Sequence, residues 1–152
     1  MQLRKAKFQD IEEIYTIVNG WAEDGVMLAR ARNVLYETLR DMTVAEEDGK
    51  IVGVGALHLT WDELAEVRTL AVDKAYLRHQ IGTQIVEALL AEAHELGVKT
   101  VFTLTYRPDF FGTLGFIETS KESLHHKVWK DCINCPKFPN CDEIAMTLKL
   151  DA

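Results

Sequence analysis

The stretch Leu70 to Leu90, L-A-V-D-K-A-Y-L-R-H-Q-I-G-T-Q-I-V-E-A-L-L, decides the fold. Leu70, Ala71 and Val72 are an apolar strand end, and a polar turn follows. The turn opens a helix at Gln80, Ile81, Gly82 and Thr83. The first amides of a helix lack intrahelical acceptors and stand at the positive end of its dipole, so they suit a phosphate. Gly82 is expected to let backbone approach backbone, and Arg78 and His79 are expected to add donors. The segment therefore points to a pyrophosphate-bearing ligand.

Periodicity orders the rest. Gln2 to Phe8 alternates as a strand, and Asp10 is placed to cap the next helix. Ile11, Ile14, Ile17, Val18 and Trp21 recur at helical spacing, with Asn19-Gly20 and Asp24-Gly25 read as loop signals. Asn33 to Arg40 reads as a short helix. Thr43 to Glu47 and Ile51 to Leu59 are strands joined by Asp48-Gly49, a hairpin dipeptide. Leu64 to Val72 is a further strand. The helix from Gln80 to Leu96 carries Ile81, Ile85, Leu89 and Leu96 on one stripe and ends at Gly97. Thr100 to Thr105 is a strand, Pro108 to Leu114 a short helix, and the stretches from Phe116 and from Glu143 to Leu150 are closing strands. The order β-α-α-β-β-β-α-β-α-β-β predicts an α/β (α+β) fold, a mixed sheet flanked by helices.

The 152 residues are read as a single domain, 1–152, with 47% hydrophobic and 27% charged residues. A net charge of −7 without a dense basic run argues against nucleic acid. No apolar run reaches membrane-spanning length and the N-terminus lacks a signal-like apolar region, so a cytoplasmic setting with reduced cysteines is expected.

The element order, with E-V-R-T-L-A-V at 66–72, A-Y-L-R-H-Q-I-G-T at 75–83 and F-F-G-T-L-G-F at 110–116, resembles the GNAT N-acyltransferase superfamily. The resemblance implies a mostly antiparallel sheet whose central strands splay, with acetyl-CoA as co-substrate in the cleft. It assigns Leu70, Ala71, Val72, Arg78, His79, Gln80, Ile81, Gly82, Thr83 and Phe111 to the cofactor. The family's pyrophosphate loop, Arg/Gln-x-x-Gly-x-Gly/Ala, meets Leu77, Gln80 and Gly82 here. A Gln at the first glycine position is expected to keep an ordinary right-handed φ.

The run from His126 to Pro136, followed by Asn140-Cys141-Asp142-Glu143, resembles the short, stand-alone N-acetylglutamate synthases of arginine biosynthesis, as does Asp24 to Arg30. That resemblance implies acetyl transfer to the α-amino group of glutamate or glutamine. It makes Glu66 the base, since an amine must lose its proton before attack. Leu70 N–H is the expected oxyanion donor. The helix at 110–116 has Phe110 and Phe111 where relatives carry a Tyr that protonates the leaving thiolate, so Thr105, Tyr106 or water is expected in that role, or the thiolate leaves unaided. Arg30 is the expected acceptor carboxylate clamp, with Leu28, Arg68 and Lys127 as further acceptor contacts, and Arg68 alternatively pairs with Glu66. A homodimer is in keeping with the family.

Cys132, Cys135 and Cys141 have three readings: a reduced loop packed over the acceptor site, which we favour, a zinc site completed by His125, His126 or Asp142, or a redox pair. His58 reads as a packed histidine, and Trp21, Trp61 and Trp129 as core or cleft walls. Two rival functions stay open: a GNAT enzyme for another small amine or a protein N-terminus, and a CoA-binding sensor without catalysis.

Overall fold

In a computed structural model describing residues 1–25, 29–77, 79–120 and 143–150, seven strands form one sheet. In chain order the elements are β1 (Gln2–Lys5), α1 (Ile11–Glu23), α2 (Arg32–Glu37), β2 (Met42–Glu47), β3 (Lys50–Trp61), β4 (Leu64–Val72), α3 (Ile81–Leu96), β5 (Thr100–Thr105), α4 (Pro108–Thr113), β6 (Ile117–Thr119) and β7 (Ile144–Lys149). Short 3-10 turns occupy Phe8–Asp10, Leu39–Asp41 and Lys74–Tyr76. The sheet order is β1-β2-β3-β4-β5-β7-β6, antiparallel throughout except where β4 meets β5.

Alternation along the strands builds two cores. Val44, Ile51, Val54, Ala56 and Ala71 face α1 and α2, where Ile11, Ile14, Val18 and Leu35 cover them. Val52, Leu57, Val67 and Met146 face α3 and α4, where Ile85, Leu89 and Phe111 cover them. β3 carries Gly53 and Gly55 beneath α3 because a side chain would not fit. A Cβ at Gly53 would stand 2.9 Å from the side chains of Ile81 and Ile85, and one at Gly55 would stand 2.6 Å from Ile85 Cγ2.

Several local expectations change. Asn19 and Gly20 lie inside α1, because the turn they would have broken still buries Ile14 and Val18. The α3 stripe ends on buried Ala93, while Leu96 is 57% exposed, having rotated off the face. Trp61 is half-exposed on the β3–β4 hairpin rather than in a core.

Asp10 makes no side-chain cap on α1. Its buried carboxylate accepts the Lys7 N–H at 2.7 Å and both arms of the Arg4 guanidinium, at 2.8 and 3.0 Å. Arg4, the stronger influence, holds the Asp10 carboxyl below its ordinary range, against the opposing effect of burial. A lowered folded-state pKa contributes stability above the unfolded value, about 3.9, that is lost as pH falls through the folded value. Asp10→Asn is therefore expected to melt well below the parent at neutral pH. The gap should narrow below about pH 4, when the parent carboxylate also takes a proton. Thermal melts of both chains across that range check it.

Candidate active site

The pairing of β4 with β5 covers only Leu64 to Glu66 against Thr100 to Phe102. β5 continues to Thr105 along β7, while β4 departs from it. Thr103 Oγ1 donates to the Val67 carbonyl at 2.9 Å, so the last polar group at the fork is satisfied by a side chain where the ladder stops. Beyond this point β4 has an edge that β5 does not use.

A β-bulge re-aims that edge. Val54 faces Ala71 and Ala56 faces Arg68, so Thr69 and Leu70 stand opposite the single residue Gly55. Thr69 takes φ +60°, a rare conformation for a β-branched residue. Asp73 N–H donates to Val52 at 2.8 Å. By alternation the polar groups of Leu70 and Val72 turn away from β3, into the fork. The Val72 carbonyl already accepts the Trp21 indole N–H from α1 at 2.7 Å. Leu70 N–H thus stands on the side where β4 and β5 have separated.

The edge leads directly into the start of α3. The first intrahelical bond shown runs from Gln84 N–H to the Gln80 carbonyl, which leaves the amides of Ile81, Gly82 and Thr83 at the positive end of the helix. Ile81 contributes only its amide, since its side chain is buried against Gly53. His79 is exposed and packs edge-on against Tyr76. A Cβ on Gly82 would meet the Phe110 ring at 3.4 Å and Val72 Cγ2 at 3.8 Å, so its neighbours are side chains rather than backbone. Phe110 is therefore the aromatic beside the loop. Phe111, expected at the cofactor, is buried in the core with its ring against Phe110 and Phe116.

Gln80 corrects an expectation: it adopts the left-handed conformation, φ +57° and ψ +26°. The turn needs this geometry whichever residue stands there. A residue with a Cβ is strained in it by about 1 kcal/mol. Gln80→Gly is expected to leave stability equal or raise it by up to about 1 kcal/mol, whereas Gln80→Val should lower it, as thermal melts will show.

The opposite face of β4 is polar. Glu66 and Arg68 share the α1–α2 face, and Arg68 donates to Glu66 Oε1 from Nε at 3.1 Å and from a terminal nitrogen at 2.6 Å. Both side chains are mostly buried, so Arg68 does pair with Glu66. Arg30 lies in the α1–α2 connection. Asn19 Oδ1 accepts the Arg30 N–H at 3.1 Å, and Asn19 Nδ2 donates to the Arg30 carbonyl at 3.0 Å and to the Tyr15 carbonyl at 3.0 Å. Thr105 Oγ1 accepts the Arg107 N–H at 2.8 Å, shaping the turn into α4, and half-buried Tyr106 follows it. Leu28, Arg78, Lys127, Trp129, Cys132, Cys135 and Cys141 lie outside the described residues.

Sequence reading passed over Asn19, the Thr69 bulge and the two small residues under α3. Asn19-Gly20 carried the wrong signal, and 66–72 alternates as though unbroken. Gly-x-Gly interleaved with Val52 and Val54 was the available sign of a close approach.

Comparison with known proteins gives the family. Residues 7–119 match the model of the acetyltransferase (GNAT) family. An uncharacterized N-acetyltransferase of Chlorobaculum tepidum is 40% identical over 148 residues, spanning 97% of this chain and 96% of its own. An amino-acid acetyltransferase of Mycobacterium tuberculosis is 40% identical over 119 residues, 76% of this chain and 68% of its own. Among solved structures, a Mycobacterium tuberculosis protein in complex with CoA superposes with a TM-score of 0.85 at 34% identity, over 99% of this chain and 100% of the other. The chain belongs to the acetyltransferase (GNAT) family and is an acyltransferase.

Proposed function

We propose that the protein transfers acetyl from acetyl-CoA to the α-amino group of glutamate or glutamine, by direct attack in a ternary complex. The observation that carries this reading is the β4 fork. Beyond residue 67 one strand has an edge that β5 does not use, running toward a helix N-terminus, and on its α1–α2 face it carries the Glu66–Arg68 ion pair.

In this reading the amides of Ile81, Gly82 and Thr83 grip the diphosphate and the Leu70–Val72 edge aligns the pantetheine. Glu66 takes a proton from the incoming ammonium, directly or through water. The amine then attacks the thioester carbon, and Leu70 N–H steadies the oxyanion, a contact worth on the order of 3 kcal/mol. Collapse breaks the C–S bond and the electron pair leaves on sulfur. A free thiol has a pKa of about 8.5, so departure as thiolate is feasible without a tyrosine. Arg30, with its backbone fixed by Asn19, supplies a planar fork for an acceptor carboxylate. The relative named amino-acid acetyltransferase and the neighbour solved with CoA support the choice of substrates.

Release of free thiol from acetyl-CoA across a panel of amino acids and amines tests the reading. Turnover with glutamate or glutamine is expected. Turnover confined to other amines, or CoA binding without turnover, overturns it. Arg30→Ala should raise the KM of the acceptor about tenfold or more and leave that of acetyl-CoA within about twofold. An equal rise in both would remove Arg30 from the acceptor site.

A further inference from the structure

We infer that His58, oriented by Asp41, is a second proton acceptor of the acceptor site, taking the proton that the amine nitrogen sheds after attack. This rests on the acetyl-transfer reading above.

The need arises from counting protons. An ammonium acceptor loses two protons from nitrogen on its way to an amide: one before attack and one from the tetrahedral intermediate. Glu66 can hold one. A carboxylate already protonated cannot serve for the second.

The place is set by the sheet. His58 on β3 stands directly opposite Glu66 on β4, so both side chains leave the same face with their Cβ atoms about 5 Å apart. That face is the one covered by α1 and α2, because Ala56 two residues away is packed there. His58 Nδ1 lies 2.7 Å from Asp41 Oδ2. Asp41 is delivered by the 3-10 turn after α2 and fixed by its own N–H on the Thr38 carbonyl at 2.9 Å. An ionised carboxylate only accepts, so the ring proton sits on Nδ1 and the lone pair on Nε2. The His58 side chain is 30% exposed, which gives the accepted proton a way out.

Charge balance favours this division of labour. A proton on Glu66 cancels one half of the Glu66–Arg68 ion pair, both members of which are largely buried. A proton on His58 creates an ion pair with Asp41 instead. In the step itself the nitrogen of the tetrahedral intermediate gives its proton to Nε2, directly or through one water, the C–S electron pair leaves on sulfur, and the imidazolium returns its proton to solvent, which protonates the thiolate. The products are amide and thiol, with His58 neutral again.

The test is His58→Ala in the full chain, assayed as acetylated product with the acceptor the parent prefers. Its kcat should fall about a hundredfold, with both KM values within about twofold of the parent. Added imidazole should restore much of the rate in His58→Ala and leave the parent and Glu66→Gln unchanged. Asp41→Asn should lower kcat by about tenfold. Where His58→Ala does not fold, His58→Gln decides in its place. A kcat within about threefold of the parent overturns the inference, as does a loss that imidazole leaves untouched. If Glu66→Gln is impaired and His58→Ala is not, this inference alone fails. A parent that acetylates no amine ends it together with the reading beneath it.

Discussion

Glu66→Gln is expected to lower kcat by roughly a hundredfold to a thousandfold near neutral pH, with the KM of acetyl-CoA little changed. Gln keeps the volume of Glu and an oxygen able to accept from Arg68, so the bonds of 2.6 and 3.1 Å have a neutral substitute and the strand should stay in place. What the substitution removes is the proposed site for the first proton. Raising the pH then supplies free amine without help from the protein, so the rate of the variant should climb toward the parent. A variant whose profile runs parallel to the parent at every pH would remove Glu66 from the role of base. Loss of folding would show separately in a thermal melt. The substitution also separates the two proposed acceptors: Glu66→Gln should respond to pH and not to imidazole, and His58→Ala to imidazole.

Much of the scaffold was legible because its signals are local. Val52 and Val54 alternate with glycine, Thr100 to Thr105 is rich in β-formers, and β4 and β5 begin and end at the expected residues. Asp48 and Gly49 both take positive φ in the hairpin turn, and Gly97 and Gly115 take it at the ends of α3 and α4. These positions answer to their own backbone preferences, and neighbours in space need not be known. The candidate site is different. Glu66, Leu70 and the start of α3 come from the family resemblance, and the register of β4 with β3 and β5 decides which face or edge of the sheet each one takes. The left-handed Gln80 and Thr69 contradict local preference, because the loop and the bulge impose a geometry that tertiary packing sustains. Asn19 reads as a helix breaker, yet its amide fits the Arg30 backbone, a contact eleven residues away. The Asp41–His58 pair joins a turn to a strand seventeen residues on, and its nearness to Glu66 exists only once β3 and β4 are in register.

The largest effect expected on stability comes from Gly55. It stands opposite the two-residue bulge and under α3, so there the helix, the strand and the re-aimed edge of β4 press together. A Cβ there would meet Ile85 Cγ2 at 2.6 Å, Leu89 Cδ1 at 3.2 Å and Leu70 Cδ1 at 3.3 Å. Three side chains from two elements would have to give way, and Ile85 and Leu89 are wholly buried. The overpacking should cost about 1–3 kcal/mol for Gly55→Ala and more for Gly55→Val. For a chain of this size each kcal/mol lowers Tm by about 2–4 °C. The strain also has a direction. Ile85 is one turn into α3, and Leu70 carries the proposed oxyanion donor, so relief by moving α3 outward shifts the helix N-terminus from the end of β4. Gly55→Ala should therefore raise the KM of acetyl-CoA more than that of the acceptor, whose proposed contact Arg68 lies on the other face of β4. A melting temperature equal to the parent's would mean that the α3–β3 contact is looser than 2.6 Å implies, and an unchanged KM for acetyl-CoA would separate the packing of α3 from its grip on the cofactor.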